Sequence, residues 1–173
     1  MAIVKASYTR TGRKAKASVR YIENRPGRDG AKTQRTLFQA DGKVERGEAY
    51  TMIDQAAKGS YFFRLVISPD PKSEDSDKQL SLRELTEQTL ASLEARFRQP
   101  LQWIATIHAD HTEHRHVHVI AVVPERLNKQ DLQQMKYAAT DEAHEQRRQL
   151  DLIREAHEQR QEQSEGLELG LSW

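Results

Sequence analysis

The sequence predicts an α+β fold: a mainly antiparallel sheet with helices packed on it, followed by a charged C-terminal helix. Two observations carry this. Strand-like and helix-like segments interleave along the chain without a regular βαβ alternation. The last two core strands, "PLQWIATIH" and "HVHVIAVV", are separated only by the polar segment 109–115, too short for a parallel crossover.

Each element has its own signal. "MAIVKASY" alternates in side-chain character and reads as a first strand, closed by the glycine turn "TRTGRK". "KAKASVRYIEN" combines helix formers with Ala17, Val19, Tyr21 and Ile22 near helical spacing, and "RPGRDG" ends it sharply. "RTLFQADGKV" predicts two short strands about an Asp-Gly turn. "GEAYTMIDQAAKG" predicts a short helix ending at Gly59. "SYFFRLVIS" is aromatic and β-branched, stopped by "PDP", and predicts a core strand. "SLRELTEQTLASLEARF" opens on a capping-box pattern, Ser81 with Glu84 three residues on, and carries Leu82, Leu85, Leu90, Leu93 and Phe97 as an apolar stripe. Beyond Pro124 the chain is rich in Gln, Glu and Arg and reads as one charged helix. The hexapeptide "EAHEQR" occurs there twice, thirteen residues apart. That offset turns the second copy to a different face, so it marks no repeat architecture.

Composition narrows the chemistry. Apolar residues make up 36% and charged residues 31%, as expected for a small domain carrying a long polar helix. Cysteine is absent, so disulfides and thiolate metal sites are excluded. No apolar run is long enough for a membrane span and no signal peptide is evident, which makes a cytoplasmic location the expectation. Net charge is only +1, but its distribution is uneven. Ten basic residues lie between Met1 and Arg35 against Glu23 and Asp29, a balance suited to phosphate contact.

Five of the seven histidines fall within "HADHTEHRHVH", residues 108–118. Strand alternation places His116 and His118 on one face, and His108 ends the preceding strand. If the two strands are antiparallel neighbours, three imidazoles converge on one point, leaving coordination positions open as a catalytic ion requires. Asp110 is placed to hold a ligand imidazole from behind. His111 and His114 read as loop side chains. The competing interpretation makes His108, His116 and His118 ordinary polar residues of an exposed sheet face.

These residues carry a resemblance. "HADHTEHRHVHV" resembles the third motif of HUH endonucleases of the relaxase type, H-x-D-x-x-x-x-x-H-x-H. "YFFRLVISPDP" resembles their second motif, and "AKASVRYIENRPG" the tyrosine-bearing first motif of mobilisation-protein relaxases. The three occur in the family's order and span about residues 1–123. The resemblance implies a ferredoxin-like sheet, a nicking domain over 1–124 and a charged helical extension over 125–173. It implies His108, His116 and His118 as ligands of a divalent ion, Mn²⁺ or Mg²⁺. It also implies Asp110 as the motif aspartate, Tyr21 as nucleophile and Ser68 as a DNA contact. The expected activity is nicking of one DNA strand at an origin of transfer through a 5′-phosphotyrosine link. Accessory mobilisation proteins, or a partner of the charged helix, would assist.

Lys14, Lys16, Arg20 and Arg25 are the expected cations for single-stranded DNA, with Tyr8, Phe38 or Trp103 as stacking rings. Tyr8, at the end of the first strand, competes with Tyr21 as nucleophile. A replication initiator or transposase of the same superfamily is the nearest variant, and a non-catalytic DNA-binding module with a structural ion is the alternative from another class. Relaxases typically continue into further modules, whereas here only a charged helix follows the third motif.

Overall fold

The computed structural model describes residues 1–27, 30, 33–109 and 113–170. In chain order the elements are β1 (Ile3–Thr9), α1 (Gly12–Asn24), β2 (Leu37–Gln39), β3 (Gly42–Val44), α2 (Arg46–Asp54), β4 (Tyr61–Ser68), α3 (Leu82–Phe97), β5 (Gln102–His108), β6 (His116–Val123) and α4 (Lys129–Gly170). The six strands form one antiparallel sheet in the order β1-β4-β6-β5-β2-β3. The α+β fold expected from the sequence is therefore the fold observed.

Strand alternation divides the sheet into two packed faces. Phe63, Leu65 and Ile67 of β4, Trp103 and Ala105 of β5, and Val117, Val119 and Ala121 of β6 meet Leu85, Leu90 and Leu93 of α3. Their neighbours Phe62, Ile104 and Ile120 face Ala15, Val19 and Ile22 of α1, with Ala49, Met52 and Ile53 of α2 beside them. A sheet covered on both faces gives nearly unbroken apolar runs, as "HVIAVV" reads. Phe38 and Trp103 lie 7% and 6% exposed, edge to face with each other, so neither ring offers a surface for stacking DNA bases.

The change of composition at residue 124 is not a break in packing. Met135, Ala139 and Ala143 of α4 are fully buried in the same core as α3 and the sheet. Gln146 also completes the start of α3. Its Oε1 accepts the backbone N–H of Ser81 at 2.7 Å, while the Ser81 hydroxyl accepts from the N–H of Glu84 at 3.2 Å. The reciprocal half of the expected capping box is thus supplied by α4 instead of the Glu84 side chain, satisfying an N-terminal donor from another helix. The two "EAHEQR" copies differ accordingly. Ala143 and Gln146 of the first are buried, whereas the second, at 155–160, is exposed throughout.

Candidate metal centre and basic cleft

Three local facts build the site. Cross-strand pairing sets His108 opposite His116, and Thr106 opposite His118. All three imidazoles emerge on the face covered by α1. Their ring centres lie 5.2 Å (His108–His116), 4.4 Å (His108–His118) and 5.0 Å (His116–His118) apart. One nitrogen from each lies within 4.8 Å of the others, and this is the one such group of potential ligands among the described residues.

Hydrogen bonds orient two of the rings. His108 Nε2 is 3.0 Å from the carbonyl of Ile22, in the last turn of α1, where helix carbonyls lack intrahelical partners. Donation there leaves Nδ1 with its lone pair. His116 Nδ1 is 2.9 Å from the carbonyl of His114, and donation leaves Nε2 free. His118 is 6% exposed, and neither of its nitrogens has a hydrogen-bond partner among the described residues. A buried imidazole without a partner is costly unless something else occupies its lone pair. Burial pushes the His108 imidazolium down to about 4, against the opposing pull of the Ile22 carbonyl and with help from Arg35, His116 and Arg25. Burial likewise takes His118 to about 3, reinforced by His108, His116, Arg25 and Arg64. Both rings are therefore neutral at pH 7, the form that binds a metal. Three imidazole donors fit a divalent transition ion, and between the two expected ions they suit Mn²⁺ better than Mg²⁺, which prefers oxygen donors. Asp110 and His111 lie outside the described residues.

α1 brings the tyrosine. Thr11 caps its N-terminus by accepting the N–H of Lys14, and Ala15, Val19 and Ile22 are its buried stripe. One flank of that stripe, Lys14, Ser18, Tyr21 and Arg25, recurs at helical spacing along the β1 side. Tyr21 and Arg25 open into a cleft of about 370 Å³ with Lys5, Ser7, Arg64 and His118. The Arg25 guanidinium lies 5.9 Å from the Tyr21 ring centre. Arg64 was not anticipated from sequence. The signal was present as a single cation in the apolar run "YFFRLVIS", two residues from Phe62 and Val66 on the same face.

The other flank turns toward α2. Lys16 Nζ pairs with Asp54 at 2.6 Å, Arg20 donates to the Tyr50 hydroxyl at 3.0 Å, and Glu23 pairs with Arg46 at 2.6 Å. Lys16 and Arg20, expected as DNA contacts, thus face α2, while Arg25 lines the cleft and Lys14 lies on the same flank of the helix. Ser68 ends β4, and its hydroxyl lies 3.3 Å from the carbonyl of Arg115, just ahead of His116. Of the five tyrosines, all within the described residues, Tyr21 alone lines the cleft with His118. The Tyr8 ring packs with Tyr61 and Phe63 on the opposite face of the sheet.

Arg115 fixes the start of β6. It makes two hydrogen bonds to Asp75, at 2.8 and 2.6 Å, and a third to the carbonyl of Leu80 at 3.0 Å. Asp75 is 1% exposed. Arg115→Ala leaves that carboxylate buried without its cation and is expected to cost about 3–5 kcal/mol, measured by urea unfolding. A loss below about 1 kcal/mol, the level of an exposed pair, would show that Arg115 does not anchor this corner.

The fold and site together define an α+β domain with a three-imidazole cluster at the end of a cationic cleft. No protein-family model matches the chain, and no curated protein matches it significantly. Among the described residues, no helix is long and apolar enough to cross a membrane.

Proposed function

We propose that the protein is a metal-dependent, site-specific single-strand DNA transesterase of the relaxase kind, acting at an origin of transfer. The observation that carries this reading is the meeting of Tyr21 and His118 in one cleft with Lys5, Arg25 and Arg64. A phosphodiester is an anion and a reluctant electrophile, so its reaction needs cations positioned before the chemistry begins. Lys5, Arg25 and Arg64 supply them, and His108, His116 and His118 are the residues to hold a divalent ion. When bound, that ion polarises a phosphoryl oxygen and offsets the charge developing there.

Tyr21 Oη attacks the phosphorus, forming the O–P bond as the bond from phosphorus to the 3′-oxygen breaks. The phenolic proton is lost and the departing 3′-oxygen gains one, so the net products are a 5′-phosphotyrosine and a free 3′-hydroxyl. The reverse attack by that hydroxyl reseals the strand, because one phosphodiester has been exchanged for another. Arg25, next to the Tyr21 ring, balances the charge of the phenolate as it forms.

The test is covalent trapping. The protein is incubated with Mn²⁺ and single-stranded DNA from its own genetic neighbourhood, then resolved under denaturing conditions. A DNA adduct resistant to denaturation is expected. Binding of the cognate strand without an adduct would reject the enzyme and leave a DNA-binding module with a structural ion.

A further inference from the structure

We propose that the strand held at Tyr21 runs along α1 to the far end of β1, crosses the sheet edge there, and stacks a base on Tyr8. The proposal rests on reading the cleft as a nucleic-acid site. A second cleft of about 190 Å³ continues the first, sharing Ser7 and Arg64 with it and adding Thr9, Lys14 and Ser18. The result is a trough between α1 and the β1–β4 pair. Its cations are Lys5, Lys14, Arg25 and Arg64, and no carboxylate of the described residues lines either part. None of the four has an ion-pair partner among the described residues, whereas Lys16, on the other flank of the same helix, is paired. A groove of unpaired cations without acids suits a polyanion. From Tyr21 back to Lys14 the helix covers about 10 Å, the room of about three stacked nucleotides.

The trough ends where β1, the edge strand of the sheet, has no further strand beside it among the described residues. Just over that edge lies a ladder of rings and guanidinium groups outside the metal site. Tyr8 is 43% exposed and meets Tyr61 edge to face at 5.3 Å. The Arg126 guanidinium sits 5.3 Å from the Tyr8 ring centre, and that of Arg10 sits 4.0 Å from the centre of Tyr61. An exposed ring between cations, continuous with a phosphate-compatible groove, has the elements of a base-stacking platform: a π-face for any base and charges for the flanking phosphates. An acidic peptide would satisfy the cations but would leave the Tyr8 ring without a role.

Binding of fluorescent oligothymidylates is measured by anisotropy in EDTA, so that metal chemistry plays no part. Strands of about four and about twelve nucleotides are compared. Tyr8→Ala and Arg126→Glu are each expected to weaken the longer strand roughly tenfold and to leave the shorter one nearly unchanged. Tyr8→Phe keeps the ring and wild-type affinity. Because Tyr8 also touches the core residue Phe63, Arg126→Glu, on an exposed connecting segment, gives the readout free of folding effects. Wild-type affinity of both Arg126→Glu and Tyr8→Ala for the longer strand would overturn the platform, as would equal losses on an abasic strand. Adduct formation is scored separately. An adduct with unchanged variant affinities rejects the platform alone, and Tyr8-dependent binding without an adduct rejects the nickase alone.

Discussion

Tyr21→Phe is expected to lower covalent attachment to the cognate strand by on the order of 10³-fold or more, while Mn²⁺ binding and strand affinity stay close to wild type. The change removes one oxygen. Tyr21 is 49% exposed and its hydroxyl has no hydrogen-bond partner among the described residues, so the substitution leaves no buried group unsatisfied. The ring remains beside Arg25. A residue that only packs α1 onto the sheet would tolerate the loss, and an adduct persisting at wild-type level would remove Tyr21 from the chemistry. Tyr8→Phe is the matched comparison. Its ring lies on the opposite face of the sheet from the three imidazoles, so adduct formation should survive that change. Losing the adduct in Tyr8→Phe while keeping it in Tyr21→Phe would exchange their roles.

The contrast between these two tyrosines marks what could be read from the sequence and what could not. Strand alternation is a local property, so the shared face of His116 and His118 was legible from six letters. The arrival of His108 followed from the short connection, which demands antiparallel neighbours. The position of β1 was not local. It pairs with β4, more than fifty residues away, and only that pairing puts Tyr8 on the α3 side and Lys5 in the cleft. The same limit applies to α1. The sequence puts Ala17, Val19, Tyr21 and Ile22 near helical spacing, but the buried stripe is Ala15, Val19 and Ile22, with Ala17 and Tyr21 exposed. Nor does the period say which flank lies beside α2 and which beside β1. At about 100° per residue Lys14 and Arg25 fall on one flank of that stripe and Lys16 and Arg20 on the other. Only the neighbours decide which flank borders the cleft, and Lys16 and Arg20 face α2. Aromatic character did not separate Trp103 and Phe38 from usable stacking rings either, because whether a ring is exposed depends on the layer that covers it. The composition change after Pro124 hid the contribution of α4, since Met135, Ala139 and Ala143 are few among many polar residues yet sit at helical spacing and are fully buried.

His118→Ala tests the metal half of the site most directly. It is expected to weaken Mn²⁺ binding by more than about 100-fold, since even groups that merely orient a ligand are worth roughly 10–100-fold. Titration followed by electron paramagnetic resonance would read this. His118 is the sharpest choice of the three because both its nitrogens are buried without a hydrogen-bond partner among the described residues. His108 and His116 also engage the carbonyls of Ile22 and His114, and changing either ring would disturb the end of α1 or the start of β6. Thermal stability supplies an independent reading. With Mn²⁺ at about 100 times its dissociation constant, the wild-type fold should gain about 2.7 kcal/mol, seen as a higher melting temperature. His118→Ala should show no such gain at the same concentration. The metal-free proteins should differ far less, because truncating His118 removes an unsatisfied polar group along with its packing. A variant that still binds Mn²⁺ and is stabilised by it would show that the three rings do not share an ion. Loss of both effects, with the strand still bound in EDTA through Lys5, Lys14, Arg25 and Arg64, would separate the binding groove from the centre that acts on the phosphate.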